Sequence, residues 1–367
     1  MTHEKAGMSM KLTAILFILL AFVIETLAQP QTQPEGNVIS RRSSLRVMPL
    51  YQRWSSDSSA FSEFSSVVSV YQPVSRNASV SLYGSFGSAS GDLTSLSGAA
   101  EVQLSGNYFL ESANLIFSLG LGIPSGKKKL TGDEFLTSVF ITNNVFRFQV
   151  PHFGTGFNLA PGIIWALPVN DDFVLGLGAS FQYRGSYNPL ENLGSYDPGD
   201  EVSETVGLDV RIDETSSLSG DVVFTHYGKD KLDGSDVFSP GNKVLGVLQF
   251  KKYFSLDELL LLATFRTKAK PDIGIGNNQP NQAEVLGAYT AHFTDKVVVQ
   301  FSLEGRFFQE TTAPFSGYNL VGVGVMPEFT LSESVRVPLR IKYMNGKATN
   351  SGALSGIEAG LGLVVSY

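Results

Sequence analysis

Histidine is the side chain best suited to moving protons near neutral pH, and 367 residues hold 4 of them: His3, His152, His226 and His292. A hydrolytic centre needs a nucleophile beside a base, or an acid and an imidazole that together activate water. His152 sits next to Pro151 with no Ser or Asp at a recognisable spacing, and His226 and His292 fall near the ends of alternating runs. Cysteine is absent and no two histidines are paired, so thiolate or imidazole metal ligation has no basis here. Neither enzyme chemistry nor a cofactor is expected. Charged side chains are better organised: Arg184, Asp209, Arg211, Asp221, Lys251, Arg266, Lys268, Glu304, Arg306, Glu328, Arg336, Arg340 and Lys342 occupy the polar parity of alternating runs. Cross-strand ion pairs are their expected role, with a path for hydrophilic solutes as the alternative.

Those runs define the architecture. From residue 76 onward, alternating stretches are joined in turn by short polar turns and by longer connections rich in Gly, Pro, Asn and Asp. Phe173, Leu175, Leu177, Ala179, Phe181 and Tyr183 oppose Val174, Gly176, Gly178, Ser180, Gln182 and Arg184. Likewise Val297, Val299, Phe301, Leu303 and Phe307 oppose Val298, Gln300, Ser302, Glu304 and Arg306. The short turns lie in "ALPVNDD", "DETSSL", "FSLDE", "FTDK" and "LSES". Sandwich strands average about five or six residues. The present runs are about twice as long, close to the nine to eleven that a tilted strand needs to cross hydrocarbon. Short turns on one rim and long loops on the other are the habit of an outer-membrane β-barrel.

Composition agrees with an all-β membrane barrel: 37 Gly, 26 Phe and 13 Tyr, only 17% charged residues, and a net charge of -7. That balance offers no basic stripe for nucleic acid. The spacing predicts about fourteen antiparallel strands, an even number being the bacterial rule. Sixteen result if "SLRVMPLYQRW" and "EFSSVVSVYQPV" also pair. In the last run, "GLGLVVSY", Leu363, Val365 and Tyr367 share the apolar parity, which is expected to face lipid and to serve as an assembly signal. The expected partners are the bilayer, lipopolysaccharide and the barrel assembly machinery, with a monomer favoured.

The first residues read as an address. A polar, basic flank precedes "LTAILFILLAFVI", roughly 13 apolar residues against the ~20 of a spanning helix. "TLAQ" follows, with cleavage expected between Ala28 and Gln29. Residues 1–28 are thus expected to be a signal peptide that directs export to the outer membrane of a Gram-negative bacterium, and 76–367 the barrel. Between them, 29–75 carries Trp54, Phe61 and Phe64, too apolar for a solvated tail. Insertion into the lumen is the favoured reading, with a tail or extra strands as alternatives.

The connection from Pro124 to Thr155 is the most unusual. After three lysines it gathers Phe135, Leu136, Val139, Phe140, Phe146, Phe148 and Phe153, with Leu136, Val139, Phe140 and Asn143 spaced as one helical face. Apolar groups on a surface loop bury themselves against the barrel or against a ligand. "YFLESANLIFSLGLGIPSGKKKL" followed by "FGTGFNLAPGI" resembles FadL-type transporters and the related aromatic-degradation barrels. That resemblance implies fourteen strands, an N-terminal plug, and a groove near the outer loops that passes small hydrophobic molecules such as fatty acids or aromatic hydrocarbons. The chain departs from long-chain fatty-acid members in lacking Asn-Pro-Ala near its mature N-terminus. A general porin and a purely structural or adhesive barrel are the competing functions.

Overall fold

The computed structural model of the chain describes residues 42–57, 59–127, 129–271, 280–311, 316–349 and 352–367. The segment 1–28 expected to be a signal peptide, the cleavage expected between Ala28 and Gln29, and the early part of the 29–75 segment lie outside the described residues. The sheet runs in chain order: β1 (Ser44–Ser56), β2 (Ala60–Pro73), β3 (Ala78–Gly91), β4 (Leu96–Ala99 and Val102–Leu110), β5 (Leu115–Ile123), β6 (Asn158–Pro168), β7 (Phe173–Arg184) and β8 (Glu201–Asp213). It continues with β9 (Ser216–Tyr227), β10 (Lys243–Phe254), β11 (Asp257–Lys268), β12 (Gln282–Thr294), β13 (Val297–Phe308), β14 (Tyr318–Ser332), β15 (Val335–Ala348) and β16 (Gly352–Leu361 and Leu363–Ser366). Every neighbour is antiparallel, and β1 pairs with both β2 and β16, so the sheet closes into a 16-strand barrel.

The count is the alternative of sixteen, with "SLRVMPLYQRW" and "EFSSVVSVYQPV" paired, and corrects the favoured expectation of fourteen strands. Residues 44–73, which were expected to lie in the lumen, form β1 and β2 of the wall, and Gln52 pairs in register with Glu63 on one side and Glu358 on the other. The cause is physical. Leu50, Trp54 and Phe61 point inward and are buried between Gln52, Glu63 and Ser65, so the inner face of this hairpin mixes apolar with polar groups and the alternation that marks other strands is blurred.

Outward positions form the apolar band expected of a lipid-facing surface. Leu303 and Val323 are 59% and 56% exposed, and Leu119, Val206, Leu248, Leu261 and Ile341 continue the belt around the barrel. Exposed aromatics cluster near both rims: Tyr108, Trp165, Phe254, Phe293 and Phe329 near the short turns, and Phe64, Tyr183, Phe265 and Phe307 towards the long loops. Leu363, Val365 and Tyr367 share the outward parity of β16, beside β1. Short turns on the rim that holds the start of β1 and the end of β16 identify it as periplasmic. Two interstrand bonds link Ser43 and Tyr367 there, at 3.1 and 3.0 Å.

On the opposite rim, Tyr196–Asp197, Asp230–Leu232 and Ser235–Phe238 make a small separate sheet. It packs Tyr196 and Phe238 against Tyr187, Leu193, Leu232 and Val237. The Tyr196 hydroxyl donates to Asp230, and burial together with that carboxylate raises the phenol well above its usual range.

Closure through β1 predicts a clear outcome. Deleting residues 44–73 leaves two open edges, so a heat-modifiability gel should lose the fast-migrating unboiled species. A barrel of fourteen strands with 44–73 as an inserted plug would keep it.

Candidate functional site

The longest connection does not stand out from the barrel; it folds into it. Its start is fastened by Ser125, whose hydroxyl donates to the Ala100 carbonyl at 3.1 Å and accepts from Val102 N–H at 3.0 Å, clamping the break between the two parts of β4. At Gly126 a Cβ would lie 2.0 Å from the Phe153 carbonyl oxygen, so only glycine lets the two ends of the loop cross. Helix α1 (Gly132–Ile141) begins with a capping box between Thr131 and Glu134, and Lys127 pairs with Glu134. That pairing holds the Glu134 carboxyl below its ordinary range.

The helix buries Phe135, Thr137, Ser138 and Ile141. This is not the face expected from Leu136, Val139, Phe140 and Asn143: Leu136 is 48% exposed, Val139 and Phe140 are partly buried, and Asn143 lies beyond the helix. Beyond it, Val145, Phe146, Phe148, Val150 and Phe153 are buried against inward side chains of the wall, among them Trp54, Phe61, Leu96, Phe308 and Leu320. Phe140 stacks on Phe146 with centroids 4.4 Å apart, and Phe61 meets Phe148 edge-on at 5.8 Å. Six of the seven apolar residues singled out in the sequence therefore come together as a packed core between loop and wall, and Leu136 stays outside it.

Alternate positions of the same stretch are polar, and wall side chains satisfy its backbone. Trp54 Nε1 donates to the Phe146 carbonyl at 2.9 Å, Gln52 Nε2 to the Arg147 carbonyl at 2.9 Å, and Arg306 Nη1 to the Val145 carbonyl at 3.1 Å. Going the other way, Gln149 N–H donates to Gln52 Oε1 at 2.7 Å and Val150 N–H to Glu63 Oε1 at 3.0 Å. Arg147 has a left-handed backbone, φ 50°, and pairs with Glu284 and, at 3.7 Å, with Glu304. A non-glycine residue held there marks a position that the surroundings over-determine.

The lumen charges divide by depth. Arg184, near the outer rim, is buried against Glu201 at 2.9 Å. Arg211 lies at the periplasmic rim, 2.8 Å from Asp172. Arg266 occupies the inward parity of β11, opposite Leu245 and Gln282. At mid-barrel, Glu304 takes both Arg306, at 2.5 Å, and Lys342. It reaches Lys342 across β14 because Gly322 and Gly324 leave that strand without side chains in between. Lower down, Arg340 pairs with Glu358 at 2.6 Å and Arg336 with Glu328 at 3.0 Å. Sequence reasoning missed Gln52, Glu63, Arg147, Gln149 and Glu284. A usable signal was the alternation in "VFRFQV", whose Arg147 and Gln149 stand between rings.

Beside the inward loop remains a lumenal cavity of about 1750 Å³. It extends from Arg46 and Ser366 at the periplasmic end, past Gln52, Arg147, Gln149 and Glu304, to Arg184, Tyr187 and Tyr196 below the outer loops. His152 also lines it, with its Nδ1 shut off and unpartnered. Burial pushes that imidazole down to about 4.

A closed, outwardly apolar barrel with a charged lumen narrowed by an infolded loop has the architecture of an outer-membrane channel. No family model and no curated protein matches the chain. Among solved structures, CdiB from Acinetobacter baumannii has a TM-score of 0.55 over 88% of this chain at 9% identity. The chain spans 60% of that structure's length. OprB from Pseudomonas putida gives 0.49, with 11% identity over 89% of this chain and 94% of its own. The CymD monoaromatic hydrocarbon channel gives 0.45, with 10% identity over 89% of both chains. The likeness to CdiB is one of fold, that of a large β-barrel.

Two outcomes follow for the loop. Trp54→Ala removes a ring and a tether together and should cost about 3 kcal/mol or more of loop docking, read as noisier and larger single-channel conductance. For His152, the unfolded loop would take up a proton near the ordinary value of about 6.5, before the docked loop does. Docking should therefore be fully stable above that pH and weaken as pH falls towards 4. Conductance noise that rises over this window in the parent protein, but not in His152→Gln, is the expected result.

Proposed function

We propose that this protein is a passive outer-membrane channel for small hydrophilic solutes, exported to a Gram-negative cell envelope. The observation that carries the reading is the long cavity beside the inward loop, whose mixed lining sets the charged and amide side chains Arg46, Gln52, Gln103, Arg147, Gln149 and Gln182 along the path. Passive flow needs no cofactor, and the ion pairs and tethers supply a fixed aperture. Lipopolysaccharide outside and the assembly machinery during biogenesis are the partners that such a barrel uses.

Uptake of small hydrophobic molecules, as in FadL-type proteins, is the second reading. Leu136, 48% exposed, and the lumenal Leu260, Leu262 and Leu286 favour it. Weighing against it, the rings best suited to catch such a solute are spent on packing: Phe146, Phe148 and Phe153 are 3%, 0% and 1% exposed.

Liposomes carrying the purified protein separate the two readings. Swelling in small sugars or amino acids, without faster transfer of an alkylbenzene or alkanoate, is the expected result. Accelerated transfer of the apolar probe with no swelling would establish the second reading in its place.

A further inference from the structure

Resting on the channel reading above, we propose that one wall of the lumen is a carboxylate-binding track of guanidinium groups. It runs from Arg147 at the constriction, past Arg340, to Arg336 and Arg46 at the periplasmic end, and selects small organic anions.

Exposure is asymmetric within the ion pairs of this wall. Arg340 is 39% exposed while its partner Glu358 is 2% exposed. Arg147 is 30% exposed, against 11% for Glu284 and 9% for Glu304. Arg336 is 41% exposed, against 29% for Glu328. The carboxylates stand behind the guanidinium groups and hold them, so the solute meets the cations first. A guanidinium carries five donors in a planar fork, more than the single carboxylate paired with Arg340 or with Arg336 takes up. On Arg340 and Arg336 the donors beyond that one pair match the two oxygens of a second carboxylate. Arg46 is exposed on the cavity surface as well.

Register makes the four groups a track rather than a scatter. Arg336 on β15 and Arg46 on β1 flank the same residue of β16, Val364. Arg340 lies opposite Gly360, which has no side chain to cover it. The next inward row is Lys342, Glu358 and Gln52, and Gln52 is the side chain that anchors Arg147. Arg336 and Arg340 are about 13 Å apart along the strand, a gap that two arginine side chains bridge, so an anion can pass between them without full release.

Exposed opposing charges keep to the far wall and the periplasmic turns, where Glu333 stands three residues before Arg336. Asp209 and Asp221 are exposed on β8 and β9, about half the circumference away, and Glu111 and Glu333 are confined to the periplasmic turns. The other carboxylates bordering the cavity, Glu101, Glu304 and Glu358, are buried.

Planar-bilayer recording of the full-length protein tests this, under a potassium chloride gradient at low ionic strength, where screening is weak. The expected reversal potential has the sign of anion passage, and potassium succinate should reduce the chloride current where uncharged erythritol does not. Arg147→Gln and Arg340→Gln should each lower the anion preference, and the double variant should abolish it together with the succinate effect. Arg340→Lys should retain much of the ion preference but lose succinate block. Lys229→Gln, in an outer-loop pair with Asp236 at 3.1 Å, should match the parent. A cation-selective parent whose preference disappears in Asp209→Asn, or a double variant still blocked by succinate, would overturn the proposal. Absence of any conductance from protein that passes the heat-modifiability test would instead overturn the channel reading beneath it.

Discussion

Hydrocarbon offers a peptide group no hydrogen-bond partner, so a chain crossing it by strands must satisfy every backbone donor and acceptor within the sheet. The pairing of β1 with β16 is where that constraint is met. Without it, β2 to β16 would be an open sheet with two unpaired edges in lipid. Closure also fixes the remaining geometry: outward positions become an apolar band, inward positions a lumen, and the two rims acquire turns of different length.

A closed barrel of this size has more interior than its wall side chains fill, and the infolded loop occupies part of it. The loop brings backbone groups into the lumen that water would otherwise serve. Trp54, Gln52, Glu63 and Arg306 replace that water with directed bonds. Aromatic packing of Phe140, Phe146 and Phe148 against Trp54 and Phe61 excludes solvent from the same contact. Neither set of interactions is sufficient alone, because rings without tethers leave buried peptide groups unpaired, and tethers without rings compete with water.

Charge in the lumen follows the same economy. The Glu304, Arg306 and Lys342 cluster is buried, and its cations outnumber its carboxylate. Arg147 draws its balance from Glu284 as well as Glu304. Buried pairs of this kind fix geometry more than they add stability. Their geometry here holds the loop at one height and leaves arginines rather than carboxylates at the cavity surface.

Period-two alternation by itself pointed to a membrane barrel and marked strands such as β7 and β13 from end to end, because lipid outside and water inside impose opposite demands on successive side chains. It also placed Arg184, Glu304, Arg306, Arg336 and Arg340 on the inner face. Only the tertiary structure decided the role of 44–73. There the inner face meets an aromatic loop instead of water, so Leu50, Trp54 and Phe61 interrupt the polar row of Gln52, Glu63 and Ser65. The loop's own arrangement was equally hidden: which helical face is buried, and that Gln52 meets Arg147 and Gln149 while Glu63 meets Val150, depends on contacts between residues nearly a hundred positions apart. No local periodicity encodes such contacts; they exist because closure brings the first hairpin around to face the loop.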